Sequence, residues 1–152
     1  MGAGAGAVRV VPLFTWHSVD FDGEERPLTR QEEWFDSGCV WPGSVGTPGA
    51  PRDSRARGIS DFMLELNEPA VAAQGPGGPP VVSYSHFLPL FELYHGYHSL
   101  NKVMGDGRIA AQVKRLGSTA HVFGHSHMNV DCVRAGTRYV QNALGYPSGR
   151  HW

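Results

Sequence analysis

Short apolar runs, separated by stretches rich in glycine and proline, dominate the pattern along this chain. Runs of β-branched and aromatic residues bounded by turn-forming residues predict strands. These runs are residues 8–14, 81–84, 120–123, 128–133 and 137–140. Ala135-Gly136 predicts a turn between the last two strands. Pro12 predicts an edge position or an early end for the first strand, because proline offers no amide hydrogen to a neighbour.

Helical spacing occurs between these runs. One helix is predicted from apolar residues at positions i, i+3, i+4 and i+7, which share one helical face. They are Ile59, Phe62, Met63 and Leu66. A second helix is predicted over residues 106–116, where Asp106 can cap the helix and Gly117 can end it.

A third, shorter helix is predicted from a capping box. Thr29-Arg30-Gln31-Glu32 has the required Thr-x-x-Glu spacing, with Leu28 in the position of a hydrophobic staple. We expect this helix to place Trp34 and Phe35 against the core. The alternation of strands and helices predicts a layered α/β fold.

Length and composition are those of a single globular domain. A chain of 152 residues can bury roughly 70% of the surface that it exposes when unfolded. Residues 1–7 form a Gly/Ala repeat that we expect to be disordered, and residues 8–152 form the domain. Loop insertions are predicted at 42–58 and 74–80, where glycine, proline and polar residues show no periodicity.

Charge and cysteine content exclude several classes of function. The formal net charge of −1, with 13 basic and 14 acidic residues, provides no basic surface for nucleic acid. No apolar run approaches the ~20 residues of a membrane span. Cys39 and Cys132 are too far apart in sequence for a metal-binding or redox pair, and we interpret them as reduced thiols. These features favour a cytoplasmic protein with no nucleic-acid or membrane partner.

Three histidines carry the strongest chemical signal. His86 follows one predicted strand, and the Gly124-His125-Ser126-His127 turn follows another. Side chains at the carboxyl ends of strands converge on ligand sites in α/β folds, and neutral imidazole is the commonest metal-ligand side chain. The pattern therefore favours a metal site, the alternative being that each ring caps or hydrogen-bonds a loop.

The remaining histidines have weaker signals. His95 and His98 surround Gly96 in an aromatic segment, and we expect them to pack or to face solvent. We expect His17 to have a structural role or to support the metal ligands, and His121 to pack or to make one buried hydrogen bond. Asp131, four residues after His127, would suit the metal motif of a cupin barrel, but the predicted helices and the spacing argue against that fold.

Together these residues resemble the C-terminal portion of the calcineurin-like metallophosphoesterase family. Ser85-His86-Phe87-Leu88-Pro89 is similar to the fourth motif block of that family, and Gly124-His125-Ser126-His127 to the fifth. Asp131, the opening VVPLFTWHSVDFD and the closing RYVQNALGYP add to the resemblance. It implies a partial layered αββα sandwich with a mixed β-sheet, and metal-dependent hydrolysis of phosphoric esters.

The resemblance also implies roles for single residues. By position, His86 and His125 would bind one divalent ion and His127 a neighbouring one. Two such ions would share a water that attacks the phosphoester in line with its leaving oxygen. Neutral imidazoles suit Zn, Fe or Mn without choosing among them. The implied partner is a small-molecule or other phosphoester substrate, provided that the rest of the site is present.

The sequence departs from the family by missing its first three blocks. Asp-x-His, Gly-Asp-x-x-Asp and Gly-Asn-His do not occur, and Ile109 stands where the second aspartate would follow Gly105-Asp106. Without a bridging carboxylate two close dications would repel each other, so we expect at most one ion on this chain.

Three hypotheses follow. The chain is the C-terminal portion of a phosphoesterase whose other blocks are encoded upstream of Met1; or it is a catalytically inactive metal-binding or interaction protein; or it is a purely structural domain.

Overall fold

The computed structural model describes residues 6–35, 39–41, 52–73 and 78–144. Strands, α-helices and short 3₁₀ helices alternate along these ranges. In chain order they are β1 (Arg9–Pro12), α1 (Arg30–Phe35), α2 (Arg52–Ala72), β2 (Val81–Tyr84), two 3₁₀ helices (Phe91–Leu93 and His98–Val103), α3 (Arg108–Arg115), β3 (Ser118–Val122), β4 (Val130–Arg134) and β5 (Thr137–Gln141).

The strands form one mixed sheet in the order β1-β2-β3-β5-β4. Strands β1, β2, β3 and β5 are parallel, and β4 pairs antiparallel with β5. The predicted α/β class and mixed sheet are therefore confirmed. Pro12 lies in edge strand β1 as expected, and Ala135 and Gly136, both with positive φ, form the turn between β4 and β5.

The two faces of the sheet differ in what covers them. Alternate residues of the strands enter the same apolar cluster as Ile109 and Val113 of α3 and Leu116, which directly follows that helix. The opposite face is open to solvent, since Val10 in β1 and Val133 in β4 keep 62% and 61% of their surface exposed. By the strand register this outer face carries an ion pair, Arg138 with Asp131, beside a row of mainly apolar side chains: Val10, Val82, Tyr84, Ala120, Val122, Val140 and Val133.

Helix α2 confirms one prediction and corrects two others. It begins at Arg52, inside the loop predicted over 42–58, and residues 42–51 lie outside the described ranges. Its predicted apolar face is wrong at Phe62 and Leu66, which are exposed, whereas Ile59 is buried and Met63 is half-buried. The buried face carries Ser60 and Asn67 instead, and hydrogen bonds with partners across the fold offset the cost of their burial.

Asn67 illustrates why a polar residue faces inward. Its side chain accepts a hydrogen bond from the Phe14 amide at 2.8 Å and donates to the Phe14 carbonyl at 2.8 Å. It also donates to Gln112 Oε1 at 2.9 Å. Asn67 thus continues the hydrogen bonding of the chain beyond β1 and joins α2 to α3.

The capping box at α1 is confirmed. Thr29 Oγ1 accepts the Glu32 amide at 3.2 Å, and the Glu32 carboxylate accepts the Thr29 amide at 2.8 Å. Phe35 packs against the core as predicted. The prediction for Trp34 is wrong, since 74% of its surface is exposed. A helix of six residues turns only one side inward, and Glu32 is its buried residue.

A buried charge network anchors this region to the 3₁₀ helix His98–Val103. Glu32 accepts hydrogen bonds from Arg26 at 2.8 and 2.9 Å and from the Lys102 amide at 2.9 Å. Lys102 Nζ donates to Asp22 Oδ1 and to the Val19 carbonyl, both at 2.8 Å. Buried charges are stable only when they are paired, so this network fixes the position of the main chain just before Val103.

Helix α3 (Arg108–Arg115) lies within the predicted range 106–116, and both of the predicted flanking residues bound it. Asp106 Oδ1 accepts the Arg108 amide at 2.8 Å, and Gly117 follows the helix with a φ of 62°. Of the other predicted segments, residues 1–5 and 74–77 lie outside the described ranges. Across the described residues, no helix is long and apolar enough to cross a membrane.

Candidate metal centre

The predicted site residues lie where two neighbouring parallel strands end. His86 follows β2, and the Gly124–His127 turn follows β3. The Ser85 amide donates to the Val122 carbonyl and the Gly124 amide to the His86 carbonyl, both at 3.0 Å. These main-chain bonds continue the sheet past its regular strands and bring the two histidine-bearing segments side by side.

His86 and His125 form a contacting pair. His125 Nδ1 lies 3.1 Å from His86 Nε2, and His125 Nε2 lies 3.1 Å from the Val103 carbonyl oxygen. A carbonyl can only accept, so His125 carries its hydrogen on Nε2 and has a lone pair on Nδ1. His86 Nε2–H donates to that lone pair.

Burial keeps this pair neutral. Burial is the main reason that the pKa of His125 is lowered to about 4, and the neighbouring His86 contributes to the same shift. Burial also lowers the pKa of His86, as does the positive charge that His127 carries when protonated. Phe35 and Phe87 contribute to this burial, since their rings lie 5.2 and 4.4 Å from the His125 ring. Both imidazoles therefore have the uncharged form that metal binding requires.

The turn that carries His125 and His127 is strained. Their φ angles are 72° and 56°, in the left-handed region that residues other than glycine seldom adopt. Each such residue costs about 1–2 kcal/mol. The Ser126 amide stabilises the turn by donating to the Gly124 carbonyl at 2.9 Å, and Ser126 Oγ donates to Gln141 at 2.9 Å. Strain of this kind concentrates at functional sites.

His121 lies beneath the site and makes two hydrogen bonds, one more than predicted. Ser85 Oγ donates to the Phe87 carbonyl at 2.8 Å, so it accepts from His121 Nε2–H at 3.0 Å. His121 Nδ1 then accepts from Ser83 Oγ at 2.8 Å, and Ser83 accepts from Ser118 Oγ at 2.9 Å. This chain of hydrogen bonds connects β3 to the segment that carries His86.

Other sequence candidates lie apart from the pair or only support it. His17 is buried and packs on Phe87, which in turn contacts His125. His98 is exposed and pairs with Glu24 at 2.9 Å. Asp131 pairs with Arg138 at 2.6 Å on the strands β4 and β5, so it does not join the three histidines as a cupin motif would require.

The Val103 carbonyl, which orients His125, was not predicted from the sequence. Its place depends on Gly105, where any side chain would overlap the Leu88 carbonyl and lie 2.8 Å from the Phe21 ring. The Leu88 amide donates to the Met104 carbonyl at 3.1 Å, and the Asp106 amide to the Leu88 carbonyl at 3.1 Å. The segment around Val103 is thus fastened directly to the segment that follows His86.

A cavity of about 850 Å³ opens beside the histidine pair. Its lining combines the three predicted histidines with aromatic and aliphatic residues that sequence reasoning did not assign to the site. These additional residues are Phe35, Tyr94, His95, Gly96, Tyr97, Leu100, Met104, Ser126 and Met128. The aromatic segment 94–98 was the available signal, but its two histidines were expected to pack or to face solvent.

The donor set fits a metal in part. Two imidazole nitrogens on a tetrahedral zinc lie about 3.3 Å apart, given zinc–nitrogen bonds of about 2.05 Å. The observed 3.1 Å between His125 Nδ1 and His86 Nε2 is close to that value. His125 donates its other ring hydrogen to a backbone carbonyl, as metal-bound histidines do.

The third predicted ligand is less closely placed. His127 lines the same cavity and acts electrostatically on both rings of the pair. Within the ranges that the structure describes, however, no three His, Cys, Asp or Glu side chains are grouped to hold a metal ion. The geometry therefore supplies two converging donors, and the ligand role of His127 stays a prediction.

A comparison with known proteins identifies the fold. The solved structure of a phosphopantetheinyl hydrolase from Mycobacterium tuberculosis shares the fold of this chain, with a TM-score of 0.66 and 18% sequence identity. The match covers 91% of this chain and 50% of that protein, so the chain spans about half of its length. No family model and no curated protein matches the chain.

Proposed function

We propose that this chain is part of a metal-dependent phosphoester hydrolase, in which His86 and His125 bind one divalent ion. The observation that carries the proposal is the convergence of His125 Nδ1 and His86 Nε2 at 3.1 Å, at the carboxyl ends of two parallel strands. The fold shared with a phosphopantetheinyl hydrolase supports the same reaction class. The resemblance of the two histidine blocks to calcineurin-like metallophosphoesterases supports it independently.

The residues of the chain would act by orientation and charge. The Val103 carbonyl holds His125 with its Nδ1 lone pair facing His86. When the hydrogen of His86 moves from Nε2 to Nδ1, each of the two facing nitrogens has a lone pair available for an ion. A divalent ion bound there would lower the pKa of a water and stabilise charge on a phosphoryl oxygen. We expect His127, which lines the same cavity, to contact either the phosphoryl group or a second ion.

Zinc titration of the purified full chain tests the pair. We expect about one zinc per chain, with His86→Ala and His125→Ala each weakening the affinity by more than about 100-fold, since losing a ligand costs at least as much as losing its hydrogen-bond partner. The measurement is competition with a chromophoric chelator. His98→Ala is the matched control, because that ring is exposed and pairs with Glu24, and its zinc affinity should not change. Equal affinities for all three variants would contradict the proposal.

A second candidate function is a catalytically inactive metal-binding protein. It is favoured by one observation, that none of the described residues lining the cavity is an aspartate or glutamate. Incubation of the zinc-loaded chain with p-nitrophenyl phosphate separates the candidates. Hydrolysis that disappears in His125→Ala supports the hydrolase, whereas zinc binding without hydrolysis favours the inactive protein.

A further inference from the structure

We propose that the cavity beside His86 and His125 binds the uncharged, apolar organic group of the ester, so that the substrate class is an aryl or alkyl phosphoester rather than a polyanion. This inference rests on the proposed function, because it assumes that the phosphoryl group lies at the histidine pair. To the proposed function it adds the kind of organic group that the rest of the cavity binds.

The apolar wall begins directly at the histidines. Phe35 packs edge-on against the His125 ring, with centroids 5.2 Å apart, and Met104 follows the residue whose carbonyl holds that ring. Tyr94, Leu100 and Met128 continue the wall. A ligand whose phosphoryl group contacts His125 would therefore place its next atoms against carbon, and apolar surface removed from water favours binding.

The segment 94–97 is built to present aromatic surface. Tyr94 Oη donates to the Tyr97 carbonyl at 3.2 Å, so the polar end of Tyr94 is satisfied within the wall itself. Gly96 makes this possible, because a side chain there would lie 2.6 Å from Tyr94 Cε2. Tyr97 is 79% exposed at the cavity, and so has aromatic surface available to a ligand.

Charge restricts the ligand class. None of the described residues that line the cavity is a lysine, arginine, aspartate or glutamate. A second phosphate or a carboxylate on the ligand would lose water there without gaining a lysine or arginine among these residues, which is costly. At about 850 Å³ the cavity has the size of a small-molecule site, and far exceeds what a phosphoryl group alone would fill.

The test uses phosphonates, which bind without being hydrolysed. Binding of methylphosphonate, phenylphosphonate and 4-carboxyphenylphosphonate to the zinc-loaded full chain is measured by ligand-observed NMR titration. We expect phenylphosphonate to bind on the order of 10-fold more tightly than methylphosphonate, from burial of the ring. The added carboxylate should remove most of that advantage.

Tyr97→Ser and Tyr84→Ser form a matched pair of variants. Both tyrosines are exposed, but Tyr84 lies on the outer face of the sheet, away from the cavity. The Tyr97 carbonyl that accepts from Tyr94 is main chain and remains in Tyr97→Ser. We expect Tyr97→Ser to reduce the preference for phenylphosphonate, with an unchanged melting temperature, and Tyr84→Ser to retain it.

The outcomes separate this inference from the proposed function. Equal binding of phenylphosphonate and methylphosphonate to the zinc-loaded chain, or an unchanged preference in Tyr97→Ser, would overturn the inference and leave the metal site standing. Failure of zinc to strengthen phosphonate binding, in a chain that still prefers the phenyl group, would instead contradict the proposed function. The assignment of the ligand as a phosphoester would then be wrong too, because it depends on the proposed function.

Discussion

Replacing Glu32 with glutamine is expected to lower the free energy of unfolding by about 3–5 kcal/mol, the usual cost of removing one partner of a buried ion pair. Burial alone would raise the pKa of Glu32, but hydrogen bonds from Arg26 and from the Thr29 and Lys102 amides lower it to about 2. Glutamine places an NH₂ group where one of these donors needs an oxygen. In the variant, two hydrogen-bond donors would therefore face each other inside the fold, and one of them would lack an acceptor.

Glu33→Gln is the matched control for this prediction. Glu33 lies next to Glu32 in α1, but its side chain is exposed. The same change there should alter the unfolding free energy by less than about 0.5 kcal/mol. Urea denaturation followed by far-ultraviolet circular dichroism measures both variants. If Glu32→Gln is no less stable than Glu33→Gln, the charge network does not stabilise the chain as described.

Lowering the pH from 7 to 4.5 is expected to destabilise the chain by about 2 kcal/mol through His121 alone. Burial lowers the pKa of His121 to about 4, whereas an unperturbed imidazole has a pKa near 6.5. Between these values the unfolded chain binds a proton that the folded chain does not. Stability therefore rises with pH across this window, and it is lost as the pH falls through it.

His121→Gln isolates this contribution, since an amide can still donate to one serine and accept from the other but does not titrate. The variant should be less stable than the parent at pH 7, yet its loss of stability between pH 7 and 4.5 should be smaller by about 2 kcal/mol. His125, whose pKa is also about 4, contributes to both proteins equally. His98→Gln, an exposed control, should keep the parental profile. An identical pH dependence in parent and His121→Gln would contradict the prediction.

Strands were predictable from the sequence because their signal is local. The run 81–84 needed only its own apolar pattern and its flanking prolines and glycines, and it coincides with β2. The faces of the helices were less predictable. Phe62 and Leu66 have helical spacing, but Asn67 occupies the buried side because its hydrogen-bond partners lie 53 and 45 residues away. Partners at such distances leave no local pattern.

The candidate site likewise has a part that could be predicted from the sequence and a part that could not. His86 and His125 could be placed together because each follows a strand, and parallel neighbours end at the same edge of the sheet. The wall formed by Tyr94, Tyr97 and Leu100 could not be placed, because no periodicity connects that irregular segment to the histidines. The ligand roles of His86, His125 and His127 remain predictions, as does the second ion that the resemblance implies.

The acceptor for His125 is a main-chain oxygen, which has a consequence for how the site tolerates mutation. Every amino acid at position 103 supplies the same carbonyl, so the orientation of the His125 ring is insensitive to the residue type there. The orientation of the ring depends instead on the path of the main chain through residue 103. The Glu32–Lys102 contact fixes this path before that residue, and Gly105 fixes it after. An alanine scan of the cavity would overlook this acceptor, and sequences can diverge widely around it while the donor geometry persists.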